Sequence, residues 1–118
     1  MPEQLIVKKE RTANYLLITF VGARLDPANC AVLRDELQAE TSAQPQDMVI
    51  DLSGSEYAGS PAINAILDMH EHCRAAGRML ILIRPRSAVR RILSLSGVTA
   101  VLAVRESIAE ARELLAAQ

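Results

Sequence analysis

Met48-Val-Ile-Asp-Leu-Ser-Gly-Ser-Glu-Tyr-Ala-Gly-Ser-Pro-Ala-Ile-Asn-Ala-Ile-Leu67 carries the decisive transition of this chain. Met48 to Leu52 is a nearly unbroken apolar run, as expected of a central strand covered on both faces. Ser53 to Gly59 has the Ser and Gly content of a loop. Ser60-Pro61 then reads as a helix start. Ser60 is expected to cap, with Pro61 at the first helical position, where its missing N–H costs nothing. Apolar residues recur at Ile63, Ile66, Leu67, Met69 or His70, and Cys73, so the helix should run to about Ala76, and Gly77 supplies its stop. Strand, loop and helix in this order form the unit of an α/β sheet.

The same unit recurs outward in both directions. Tyr15 to Val21 is rich in β-branched and aromatic residues and reads as a strand. The weakly alternating Leu5 to Glu10 is an edge strand joined to it by the polar turn Arg11 to Asn14. Asp26-Pro27 is a second helix start. Its helix carries Cys30, Leu33 and Leu37 on one stripe, with Val32 at its edge, and fades between Ser42 and Gln46. Past Gly77, Met79 to Ile83 reads as a strand covered on both faces. Pro85 to Leu95 is expected to be a short helix with Val89, Ile92 and Leu93 inward. Val98 to Val104 should hold a last strand and Glu106 to Ala117 a last helix. The order β-β-α-β-α-β-α-β-α implies a mixed, mostly parallel sheet packed with about four helices.

Composition sets the limits. The 118 residues suit one domain, residues 1–118, and half of them are hydrophobic. Aromatic residues make up only 3% and Trp is absent, so the core is aliphatic. The formal net charge of -1 argues against a nucleic-acid binder driven by bulk charge. The charge is polarised, with acids in excess before Gly59 and a basic excess after it at Arg74, Arg78, Arg84, Arg86, Arg90 and Arg91. That excess is either a solvated surface or a positive patch for an acidic partner or a phosphate. No apolar segment approaches a membrane span and no leader pattern opens the chain, so a cytoplasmic protein without direct membrane insertion is expected. Cys30 and Cys73 form no C-x-x-C pair, which gives metal and redox chemistry no support.

Catalytic groups do not converge. His70 and His72 lie two apart on a helix and face different directions, so they are badly placed to share a metal. Phosphate-loop, dinucleotide and serine-elbow motifs are absent, and no cofactor is expected. Asp51 lies near the end of a central strand, where ligand-binding groups gather in α/β folds. Accepting hydrogen bonds from the following loop is the role expected of it. Ser60 is the informative point, since its hydroxyl sits at the mouth of a helix. It either caps that helix and nothing more, or is a site for phosphate, with the helix donors and dipole favouring the negative charge. Asn64, Asp68, Glu71 and Ala75 continue from it along one mostly polar face that could dock a partner.

Met48 to Leu67 resembles the signature of STAS domains, the family of bacterial anti-sigma factor antagonists. The family pattern is a strand, D-L-S-G, a short gap, then D-S-S-G-L at a helix start. Gly22-Ala-Arg-Leu-Asp26, Arg74-Ala-Ala-Gly-Arg-Met-Leu-Ile-Leu82 and Ser87-Ala-Val-Arg-Arg-Ile-Leu-Ser-Leu-Ser-Gly97 match in the correct order, so the resemblance spans nearly the whole chain. It implies a non-enzymatic regulator, a monomer or weak dimer, that binds an anti-sigma factor of the ATPase or serine-kinase type. It implies that Ser60 is the phosphorylated serine, restored by a phosphatase. The implied partner surface comprises Asp26, Ser55, Glu56, Gly59, Ser60, Pro61, Asn64, Asp68 and Glu71. At the switch, Gly59 replaces the family's Asp, Pro61 its second Ser and Ala62 its Gly, while Asn64 replaces another common Gly. Those departures suit an alternative role, a STAS subunit or adaptor of a membrane transporter or signalling scaffold with no phosphoswitch.

Overall fold

A computed structural model describes residues 6–21, 27–55 and 59–117. The chain opens with a hairpin of β1 (Ile6–Arg11) and β2 (Tyr15–Val21), paired antiparallel with Arg11 opposite Leu16. Thr12 ties the turn: its Oγ1 accepts from the N–H groups of Asn14 and Tyr15 at 3.2 and 3.0 Å. The elements that follow are α1 (Pro27–Ala43), β3 (Asp47–Asp51), α2 (Ser60–Ala75), β4 (Leu80–Ile83) and α3 (Ser87–Leu95). A single helical turn α4 (Val98–Val101), β5 (Ala103–Arg105) and α5 (Ile108–Ala116) complete the chain.

The sheet runs β1-β2-β3-β4-β5 and is parallel from β2 onward. Strand periodicity divides its side chains between two cores. Leu16, Ile18, Met48, Ile50, Leu80 and Leu82 point to one face and pack with buried residues of α1, α2, α3 and α4. Tyr15, Val49, Ile81 and Ile83 point to the other, where α5 covers them with Ala111. The strands expected over 48–52 and 79–83 are thus buried on both sides, for the reason their apolar runs suggested. Ion pairs from Lys9 to Glu36 and Glu40, and from Arg11 to Glu40, fasten the edge strand β1 to α1. Burial pushes the Glu40 carboxyl up, but Lys9 and Arg11 outweigh it and hold the group below its ordinary value.

Three boundaries depart from expectation, the first being that α3 starts at Ser87 and not Pro85, with Arg86 as its cap. Val98 to Val104 was expected to hold a short last strand; Ala103–Arg105 does pair with β4, but the first four residues of the stretch form α4. The reason lies at Gly97, which stands at φ 82°, a left-handed conformation that closes α3 and turns the chain into a new helical turn. Val98 is then buried at 1% exposure while Val101 faces solvent. The last helix starts at Ile108, not Glu106, because Ser107 caps it. Its Oγ accepts from Glu110 N–H at 3.2 Å, and the Glu110 carboxylate accepts from Glu106 N–H at 2.8 Å. Asp26, read as the cap of α1, lies outside the described residues. No described helix is long and apolar enough to cross a membrane.

Candidate functional site

β3 and β4 are neighbouring parallel strands, so the loops that follow them leave from the same end of the sheet. Ligand and partner sites of open α/β sheets gather at this end. The loop after β3 leads into α2 and Ser60; the loop after β4 leads into α3.

Ser60 is not the cap. Gly59 takes that position, with extended backbone (φ −98°, ψ −171°), and its carbonyl accepts from Ala62 and Ile63 N–H at 3.0 and 3.1 Å. Ser60 is therefore the first helical residue and Pro61 the second. Neither position needs an intrahelical N–H donor, so proline fits as well one place later. No side-chain cap bond is formed, and the Ser60 hydroxyl sits on an exposed residue. Behind it, Ala62, Ile63, Ala65, Ile66, Met69 and Cys73 bury the opposite face of α2. Asn64, Asp68, Glu71 and Ala75 are exposed and continue the row from Ser60, as their helical spacing suggested.

A depression of about 450 Å³ separates α2 from α3, lined by Gly59, Ser60, Ile63, Asn64, Leu67, Ile92 and Ser96. Among the described residues, neither Lys nor Arg lines it. Beside Ser96, Leu95 is 76% exposed, a large apolar side chain presented to solvent. The rest of the polar row is engaged loosely. Asp68 lies 3.5 Å from Arg34 of α1, and Glu71 pairs with Arg74 at 3.2 Å. Exposed pairs of this kind contribute roughly 0–1 kcal/mol and leave both acids available.

The other expected contact residues separate. Ser55 is fully buried, its N–H donates to Leu52 C=O at 3.0 Å, and its Oγ has no hydrogen-bond partner among the described residues. At 0% exposure it cannot touch a partner in this conformation. Asp26 and Glu56 lie outside the described residues. His70 and His72 belong to no cluster able to hold a metal among the described residues.

Asp51, at 3% exposure, has the structural role expected of it. Its Oδ1 accepts from Ser53 N–H at 2.9 Å and its Oδ2 accepts from the Arg84 guanidinium. Burial pushes its carboxyl up, but the Ser53 bonds and Arg84 outweigh it and hold the group below its usual value. The arginine-rich half is thus largely spoken for. Arg84 serves Asp51, Arg86 donates to Ser53 C=O at 2.7 Å, Arg90 pairs with Glu106 and Arg74 with Glu71. Arg78 lies at the other end of the sheet, lining a separate cavity of about 580 Å³ with Asp47 and Arg112. The roles of Arg84 and Arg86 went unread in the sequence; Arg84-Pro85-Arg86 at a strand end was the available signal.

A family model described as the STAS domain matches residues 6–111. None of the curated proteins matches the chain. Among solved structures it is similar to an anti-sigma factor antagonist from Mycobacterium paratuberculosis. The TM-score is 0.81 at 19% identity, covering 98% of this chain and 97% of that one. Likeness to the anti-sigma factor antagonist SpoIIAA in its unphosphorylated form gives a TM-score of 0.81 at 17% identity, covering 96% and 98%. The murine Solute Carrier 26 family member A9 anion transporter is also similar, with a TM-score of 0.75 at 19% identity over 92% of this chain and 19% of the transporter. At these identities the structural likenesses speak for the fold, and the family model, matched over most of the sequence, speaks for descent: the chain belongs to the STAS domain family.

Proposed function

We propose that this chain is an anti-sigma factor antagonist that works by partner switching. It binds an anti-sigma factor of the ATPase or serine-kinase type on the exposed face of α2 and the adjoining depression. Phosphorylation of Ser60 ends the complex and a phosphatase restores it. The observation that carries this reading is the Ser60 hydroxyl, exposed, free of any cap bond, and set at the rim of the depression at the head of a polar row. A phosphate there adds about −1.5 to −2 charges. Among the described residues no basic side chain lines the depression to absorb them, Pro61 offers no N–H, and the same row carries Asp68 and Glu71. The new charge would therefore be presented to the partner, where repulsion and desolvation can reverse a preference of a few kcal/mol. No cofactor and no catalytic step enter this reading, which places the protein in the cytoplasm as a monomer or weak dimer.

The test is affinity purification from native cells, with mass spectrometry of the partners and of the Ser60 peptide, for the parent and Ser60→Glu. Recovery of a soluble kinase with the parent and its loss with Ser60→Glu is the expected result. Equal recovery by both sinks the switch. A second reading has its own support in Gly59, Pro61 and Ala62 at the switch and in the likeness to the anion transporter's domain. In that reading the chain is an adaptor of a membrane transporter or signalling scaffold, and a transporter ATPase would be recovered with Ser60 always bare.

A further inference from the structure

The loop that leads to Ser60 is gripped from the neighbouring loop. Leu52 N–H donates to Ile83 C=O at 2.9 Å, extending the β3–β4 ladder by one bond past the end of β3. The next residue, Ser53, is held on both sides of its peptide. Its N–H donates to Asp51 at 2.9 Å, and its carbonyl accepts from Arg86 Nε at 2.7 Å. Arg84 closes the ring by donating to the other oxygen of Asp51. The backbone of Arg84 is itself fixed. Its N–H donates to Arg105 C=O of β5 at 3.0 Å, and it stands at φ 52°, a left-handed conformation that a non-glycine residue adopts only when its surroundings insist. Pro85 is buried between the two arginines, and Arg86 is the cap residue of α3. The helix that supplies Ile92 to the depression, and ends at its Ser96 cap there, therefore starts from the residue that holds Ser53.

We propose that Arg84 and Arg86 are positioning residues for the Ser60 site: they fix the start of the β3–α2 loop to the start of α3, so that the two walls of the depression keep one spacing. Neither lines the depression, and neither needs to touch the partner. The consequence for partner binding rests on the reading of Ser60 given above; the clamp itself does not.

Hydrogen exchange on the full chain reads the clamp without any partner. In Arg86→Met and Arg84→Met, the hydrogen-bonded amides of Ser53, Ser55, Ala62 and Ile63 should exchange about tenfold faster or more, with those of α5 unchanged. Arg86→Lys, which can still reach the Ser53 carbonyl with a charged donor, should restore most of the protection. Uniformly faster exchange throughout the molecule, or unchanged exchange at Ser53 and Ser55, overturns the proposal. A Lys variant no better than Met does so too, since the side-chain donor would then not be what holds the loop. The kinase recovered with the parent should bind Arg86→Met about tenfold more weakly and Arg86→Lys nearly as well as the parent. If the exchange pattern holds but Ser60→Glu leaves binding intact, the switch fails and the clamp stands.

Discussion

Replacing Asp51 by Asn tests the electrostatic centre of the site with almost no change in shape. Asn retains an oxygen for Ser53 N–H, so that bond at 2.9 Å is kept. The amide nitrogen then faces the Arg84 guanidinium, a donor set against donors. A hydrogen bond to a charged group contributes about 1.5–3 kcal/mol. The heavier penalty for stranding a buried charge does not apply, since the Arg84 side chain is 48% exposed and can rehydrate. The expected loss is about 1–2 kcal/mol at neutral pH. Its pH dependence follows from the sign of the shift. Asp51 is held below its ordinary value of 3.8, so its contribution is fully present above that value and is lost as pH falls through the lower folded one. Urea unfolding followed by far-ultraviolet circular dichroism, run for parent and Asp51→Asn from neutral to acidic pH, should give a deficit that is flat down to about pH 5 and closes below 3.8. Equal stability at neutral pH refutes the pairing. A deficit that persists unchanged at the acid end refutes its electrostatic origin.

Ser107→Ala should cost about 1 kcal/mol by freeing the Glu110 N–H that the hydroxyl accepts, read as a lower urea midpoint at unchanged slope. No loss would mean that α5 is held by its packing on Val49 and Ile81 alone. Cys73 is 2% exposed, and burial, with a smaller push from Asp47, raises its thiol from 9.0 to about 11. It should resist alkylation in the native protein at mildly alkaline pH and react once unfolded in urea. Because the folded value is the higher one, stability should begin to fall as pH rises above 9.0 toward 11. Rapid native labelling of Cys73 would place it at a surface.

The sequence carried most of this architecture because its strands and helices declare themselves by period. Met48 to Leu52 is apolar except for Asp51 and Met79 to Ile83 is apolar throughout, and the structure covers both their faces. Where the reading failed, a distant or conformational fact decided the outcome. Val98-Thr-Ala-Val101 is β-prone by composition, yet the left-handed Gly97 turns it into helix, and propensity is a weak force against such a constraint. The charge asymmetry is real, but its meaning depended on pairing: Arg84 reaches Asp51 across 33 positions, which only the strand order brings together. A left-handed arginine is also invisible to rules that assign that conformation to Gly and Asn. Ser55 shows the converse. A serine in a Ser/Gly loop reads as exposed, yet the structure buries it fully, with its N–H donating to Leu52 C=O.

The placement of Ser60 one residue inside the helix changes what its charged variant can report. Were Ser60 the cap, Ser60→Glu would remove a side-chain bond to the helix and cost about 1 kcal/mol, and any lost binding could be blamed on a frayed α2. Gly59 is the cap instead, and no cap bond exists to lose. A glutamate in the first turn lies near the positive end of the helix dipole, which favours it by about 0.3–1 kcal/mol. Ser60→Glu should therefore unfold at the same urea concentration as the parent or a slightly higher one. A fall of more than about 1 kcal/mol would show that the hydroxyl does cap α2 in solution. With the expected result in hand, loss of the partner by Ser60→Glu reports recognition at that surface and not damage to the helix that carries it.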